Sequence, residues 1–184
     1  ALMRREGLPE IAIRTFAQYY AQLAAGQTGL LPEADLEPAT GIPDAEALPA
    51  SLAAAGRRAL PHTVMLKLNG GLGTGMGLER AKSLLTVKDG LTFLEIIAHQ
   101  ARAADVPLLL MNSFSTEEDS LALLEKYTDL NKDLPHSFLQ HKEPRIRQDN
   151  LQPVEWPENP ELEWCPPGHG DIYTALVTSG TLEG

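Results

Sequence analysis

One cysteine, Cys165, stands in 184 residues. A single thiol excludes a disulfide framework and a cysteine-rich metal site within the chain, and a reducing, cytoplasmic setting is expected. Long apolar runs are missing as well. No stretch approaches the roughly 20 residues that a membrane helix needs, so no membrane span is expected. Ala1 to Gly26 carries Glu6, Glu10 and Arg14 where a secretory leader would need an apolar core. Positive charge is scarce: 15 Lys and Arg against 25 Asp and Glu leave a formal net charge of −10. An acidic surface argues against a general nucleic-acid or anionic-membrane binder. It leaves room for a small anionic ligand, which needs only local positive potential.

Apolar residues are present at 43%, enough to bury the core of one domain, or of one domain plus an appendage. Oligomeric state is not fixed by any of this. The start at Ala1 and the stop at Gly184, straight after a helical-looking run, fit a piece of a longer protein. Residues 1–60 form a first zone. Leu8 to Ala25 reads as an amphipathic helix through Ile11, Phe16, Tyr19, Tyr20 and Leu23, with Gly26 to stop it. Leu30 to Pro61, punctuated by Pro32, Pro38, Pro43 and Pro49, reads as a linker with at most short helices.

Residues 61–184 alternate in pattern. Thr63 to Leu68 and Ser83 to Val87 are strand candidates, the latter followed by the turn signal Asp89-Gly90. Leu91 to Ala104 has helical periodicity. Val106 to Met111 is almost wholly apolar, as for a strand buried on both faces. Ser115 with Glu118 reads as a capping box for a helix to about Tyr127. The order strand, helix, strand, helix implies an α/β fold with a mostly parallel sheet.

The first of these strands runs into LKLNGGLGTGMGLERAKS, Leu66 to Ser83, with five glycines in eight residues and Lys82 beyond them. A loop this bare can turn several amide N–H groups toward an anion at the carboxyl end of a strand. Neither familiar phosphate signature fits. A dinucleotide fingerprint through Gly71 and Gly73 needs glycine at 76, which is Met76, and a P-loop ending at Lys82 needs glycines where Met76 and Ala81 stand.

KLNGGLGTGMG with AKS and DGLTFLEI resembles the eukaryotic-type UTP–glucose-1-phosphate uridylyltransferases (UDP-glucose pyrophosphorylases). Three later segments agree in order: PLLLMNSFSTEED (Pro107 to Asp119), FLQHKEPRI (Phe138 to Ile146) and EWCPPGHGDIYTAL (Glu163 to Leu176). Gly75-Met76, where relatives acting on UDP-N-acetylhexosamine usually carry Arg, favours the glucose enzyme. The resemblance implies a Rossmann-like nucleotidyltransferase domain of three layers, incomplete at its C-terminus. It implies UTP and glucose 1-phosphate as partners and Mg²⁺ as cofactor, with no metal ligand in this chain. By the same resemblance Leu68, Asn69, Gly70, Gly71, Gly73 and Thr74 line the UTP site, with Gly70 and Gly71 also near the sugar phosphate. Lys82 is the catalytic cation at the nucleotide phosphates. Gln140 reads uracil, Gly168 approaches the nucleotide by its backbone, and His169 contacts the sugar phosphate. The chain alone is expected to be inactive. The alternatives are another UDP-sugar pyrophosphorylase and a non-catalytic nucleotide-binding module.

Other polar residues carry plainer readings. Glu117, Glu118 and Asp119 suit the positive end of a helix. Asp171 suits the N-cap of the run IYTALV. Lys142, Arg145 and Arg147 form a basic group that could steer UTP or lie solvated. Met76 and Met111 read as packing residues. His62, His99, His136 and His141 receive no role.

Overall fold

The structure is a computed structural model that describes residues 1–27, 29–73, 77–78, 80–131 and 134–183. Two helices open it, α1 (Leu2–Arg5) and α2 (Glu10–Ala24). Gly26, at φ +83°, follows the end of α2, a conformation in which glycine pays no Cβ penalty. The zone from Leu30 to Pro61 contains 3-10 turns at Glu33–Asp35 and Ala45–Ala47, but also a ten-residue helix, α3 (Ala50–Ala59). That helix exceeds the short pieces expected there. Its alanines, the best helix formers, outweigh the surrounding prolines. No residue of α3 is buried, so it lies on the outside.

The remaining elements are β1 (Met65–Asn69), β2 (Thr86–Lys88), β3 (Leu91–Thr92), α4 (Phe93–Ala104), β4 (Leu108–Asn112), α5 (Glu117–Leu124), β5 (Ser137–Leu139), β6 (Glu143–Pro144), β7 (Trp164–Cys165) and α6 (Ile172–Thr178). β1, β4 and β5 form a parallel sheet in that order, with Met65 beside Leu108 and Leu110 beside Ser137. Every residue of β4 is buried, and its side chains divide between two cores. Leu108 and Leu110 pack with Leu94, Ala98 and Leu124 on the α4–α5 side, while Leu109 and Met111 pack with Phe138 and Ala175 on the α6 side. The layers are therefore helix, sheet, helix, the α/β arrangement expected of a doubly covered parallel strand. Met111 is a core residue; Met76 lies outside the described residues.

Two local expectations are corrected. Lys82–Leu84 is a 3-10 turn, and only Thr86–Lys88 pairs as a strand, antiparallel to Leu91–Thr92 across Asp89-Gly90. Both turn residues have positive φ, 51° and 76°, as a tight hairpin of that hand requires. The predicted Ser115–Glu118 capping box is absent among the described residues. α5 starts after Thr116, whose hydroxyl turns back to accept from the Ser113 amide at 2.9 Å. A capping box does occur at α4, where Thr92 and Glu95 exchange hydrogen bonds of 2.9 and 3.2 Å.

The N-terminal helices dock on the chain's later half. The Tyr20 hydroxyl donates to the Leu151 carbonyl at 3.1 Å, and Lys142 reaches Glu6 at 2.7 Å. Met3 and Ala12 are buried by this contact. β6 and β7 pair antiparallel, Glu143 with Cys165 and Pro144 with Trp164. That pairing fastens the segment after β5 to the segment before α6.

Candidate functional site

β1 ends at Asn69, and its side chain turns inward. The Asn69 amide donates to Asn112 Oδ1 at 2.6 Å and to Ser120 Oγ at 2.7 Å. Asn112 in turn donates to Glu117 Oε2 at 2.6 Å, and Ser137 donates to Glu117 Oε1 at 2.7 Å. One carboxylate thus joins β4, β5 and the first turn of α5, and Asn69 adds β1. Buried polar groups are tolerated when they are satisfied in this way. The three acidic residues of α5 separate accordingly: Glu117 holds the strands together, while Glu118 and Asp119 line an open cleft. The Asn69 side-chain NH₂ is thus spent within the fold. Leu68 remains 40% exposed.

Beyond Asn69 the glycine loop doubles back on itself. Leu72 bridges Ala81, the Lys82 amide donates to the Gly71 carbonyl at 3.1 Å, and the Gly73 amide donates to the Arg80 carbonyl at 3.2 Å. This narrow reversal explains how a lysine eleven positions downstream returns to Gly71. A Cβ on Gly71 would lie 4.0 Å from Lys82 Cδ, and one on Gly73 would run into the Leu78 side chain, 2.8 Å from its Cγ. Thr74, predicted in the UTP site, lies outside the described residues. Lys82 is exposed and carries no ion pair among the described residues.

Gln140 follows β5, with its amide donating to the Asn112 carbonyl at 2.8 Å. Its carboxamide lies across Gly70, so close that a Cβ there would collide with the Nε2 atom and stand 2.8 Å from Cδ. Gln140 is nearly buried, yet its side chain makes no hydrogen bond among the described residues. Nor do the Gly70 and Gly71 amide N–H groups have a partner among them. Two amides and a carboxamide without partners among the described residues therefore gather at the end of β1, with the Lys82 side chain passing beside Gly71. Open α/β sheets bind ligands at the carboxyl ends of their strands.

A cleft of about 520 Å³ runs from Gly70–Leu72 past Phe114 and Glu118 to Arg145 and Trp164. Of the basic group, Arg145 alone lines it: Arg147 pairs with Asp149 at 2.7 Å, while Lys142 is held by Glu6 and stands 4.6 Å over the Trp164 ring. Arg145 Nε donates to the Trp164 carbonyl at 3.1 Å, which fixes the guanidinium at the cleft wall.

Gly168 and His169 are exposed and do not line this cleft. Gly168 borders a smaller hollow of about 210 Å³ with His141, Glu143, Asp171 and residues of α2. There Asp171 stands at the N-cap position predicted for it, but without the side-chain bond of a cap. Its backbone is already helical, continuing the His169–Asp171 turn. The carboxylate takes the His141 amide at 2.7 Å and the His141 ring Nδ1 at 2.8 Å. Burial raises the Glu143 carboxyl above its ordinary pKa, the Asp171 charge adds to that rise, and His141 opposes it. The Cys165 thiol is likewise pushed up by burial. Sequence reading gave His141 no role, because its partner lies thirty positions away.

Among the described residues no group of three or more His, Cys, Asp or Glu is arranged to hold a metal ion. No helix among them is long and apolar enough to cross a membrane.

A family model described as UTP–glucose-1-phosphate uridylyltransferase matches residues 13–184. Among curated proteins of that name, the one from Solanum tuberosum is 44% identical over 134 residues, and the one from Saccharomyces cerevisiae is 44% identical over 131. Those alignments cover 69% and 67% of this chain but only 28% and 26% of the relatives. A solved variant of UDP-glucose pyrophosphorylase from Leishmania major, in complex with UDP-glucose, superposes with a TM-score of 0.85 at 40% identity, over 98% of this chain and 39% of that one. A UDP-glucose phosphorylase from Trypanosoma brucei superposes with a TM-score of 0.80 at 40% identity, covering 98% and 38%. The chain thus spans about 28% of the curated relatives it matches.

Proposed function

Because the chain belongs to the UTP–glucose-1-phosphate uridylyltransferase family, we propose that it forms the nucleotide-binding part of an enzyme making UDP-glucose and pyrophosphate from UTP and glucose 1-phosphate. In that reaction a sugar-phosphate oxygen attacks the α-phosphorus in line. The new P–O bond forms as the bond to the β-phosphate oxygen breaks, and pyrophosphate leaves with that electron pair. No covalent enzyme intermediate is needed, so the protein contributes positioning and charge compensation.

The residues take roles that follow from their chemistry. Gln140 offers a donor and an acceptor, matching the edge of uracil. The Gly70 and Gly71 amides face the phosphates, and the Lys82 ammonium offsets charge as the pentacoordinate phosphorus forms. Gly168 approaches the nucleotide by its backbone, and His169 contacts the sugar phosphate. Mg²⁺ enters as an expected companion of the triphosphate, held by groups other than those described here, and no step is routed through it. A cytoplasmic setting in carbohydrate metabolism goes with this reading, supported by the unpaired, half-buried thiol of Cys165.

The observation that carries the proposal is the gathering of unpartnered donors at the end of β1, with the Gln140 carboxamide laid over Gly70. Titrating UTP into the ¹⁵N-labelled chain tests it. Shifts should concentrate at Gly70, Gly71, Lys82 and Gln140, and ATP should move the phosphate-facing residues but not Gln140. Equal responses to both nucleotides at Gln140, or shifts elsewhere only, would overturn it.

A further inference from the structure

The predicted uracil reader and the predicted sugar-phosphate contact sit on two segments. Gln140 lies on the stretch after β5, and Gly168 and His169 lie on the stretch before α6. The β6–β7 pairing fastens these segments at one place, and a pair of side chains fastens them at another, next to Gln140. Asp171 accepts from the backbone amide of His141 at 2.7 Å and from its ring Nδ1 at 2.8 Å. Both side chains are only 9% exposed. Since a carboxylate only accepts, the ring proton sits on Nδ1, and Nε2 is left for the Thr178 hydroxyl 3.1 Å away.

The geometry points to Asp171 as a positioning residue: by clasping His141 at two points it sets the distance between the Gln140 carboxamide and the Gly168–His169 segment, so that uracil and the sugar phosphate are gripped together. This inference rests on the nucleotide-binding reading above. Its parts are independent of that reading. Gln140 immediately precedes His141, and His169 is two residues before Asp171, so neither reader can shift far while the clasp is closed. Two charge-assisted hydrogen bonds from one residue fix orientation as well as distance. The Thr178 hydroxyl oxygen, which also lies 3.0 Å from the Thr174 carbonyl, carries the link into α6. A ligand that touches only one segment gains little from this arrangement, whereas one that spans both gains from their fixed spacing.

The experiment uses the 184-residue chain, with amide exchange measured without ligand and affinities measured for UDP-glucose and for uridine. Asp171→Ala should speed exchange of the His141 amide by about tenfold or more. It should weaken UDP-glucose by about tenfold while leaving uridine nearly unchanged. Asp171→Asn, which can still accept from the His141 amide, should recover much of both. Unchanged exchange at His141, or equal loss of UDP-glucose and uridine, would overturn the inference. Should Asp171→Ala fail to fold, Thr178→Val decides in its place: faster exchange at His141 with UDP-glucose weakened more than uridine supports the clasp, and no difference overturns it. If the unaltered chain takes up neither ligand, the nucleotide-binding reading fails, and the exchange measurement alone decides whether Asp171 ties the two segments.

Discussion

A methyl group at Gly70 would run into the Gln140 carboxamide, 2.8 Å from its Cδ, although the Gly70 backbone is not in the left-handed region. The constraint is therefore steric rather than conformational, and it is shared between two residues. Gly70→Ala should cost about 1–3 kcal/mol in urea unfolding, the usual cost of overpacking, and should abolish the response of Gln140 to uridine. Adding Gln140→Ala should recover most of that stability without restoring uridine binding, because the two side chains compete for one volume. Loss of stability that persists in the double variant would place the strain elsewhere. Lys82 behaves differently. It is exposed and makes no ion pair among the described residues, so Lys82→Ala should change stability by less than about 0.5 kcal/mol. It should weaken UTP far more than uridine, with the difference shrinking at high salt. A UTP affinity equal to that of the unaltered chain would remove Lys82 from the phosphate site.

At the scale of elements, α4 shows how local chemistry sets a boundary. The Glu95 carboxyl is held below the usual carboxylate range, first by the Thr92 amide and next by Lys126. A carboxyl whose folded pKa is lowered stabilises the protein above its unfolded pKa, and that contribution is lost as pH falls through the folded value. Glu95→Gln should therefore cost about 1 kcal/mol at neutral pH and flatten the acid limb of stability below the ordinary value of 4.5. An acid limb as steep as that of the unaltered chain would contradict the assignment. Elements governed by neighbours in sequence were also the legible ones. The apolar run of β4, the Asp89-Gly90 hairpin and α2 could all be read from spacing. The start of α5 could not, because Glu117 answers to Asn112 and Ser137, and Thr116 to Ser113. The same division runs through the candidate site. Glycines and Lys82 lie within one short loop and announce themselves. Gln140 over Gly70 and His141 on Asp171 are contacts made by the fold, and no periodicity encodes them.

For the molecule as a whole, the sheet has unequal flanks. β4 is buried throughout, whereas β1 stands at an edge with Val64 43% and Leu68 40% exposed. On the outer side of α6, Tyr173 and Val177 are 78% and 67% exposed. Gly70 and Gly71 face a cleft with Glu118 and Asp119 on its wall, and no metal-holding cluster occurs among the described residues. Binding a nucleotide and transferring its uridylyl group make different demands. Binding needs the loop amides, Gln140 and Lys82, which this chain has. On the proposed reading, transfer also needs compensation of the pyrophosphate charge and a seat for the attacking sugar phosphate, for which Gly70, Gly71 and His169 are the candidates. The 184-residue chain supplied with UTP, glucose 1-phosphate and Mg²⁺ should therefore release no pyrophosphate above the uncatalysed background, while still showing uridine-dependent shifts at Gln140. Steady formation of UDP-glucose by this chain would mean that the described residues suffice for the chemistry, and that charge compensation by a wider set of groups has been wrongly required.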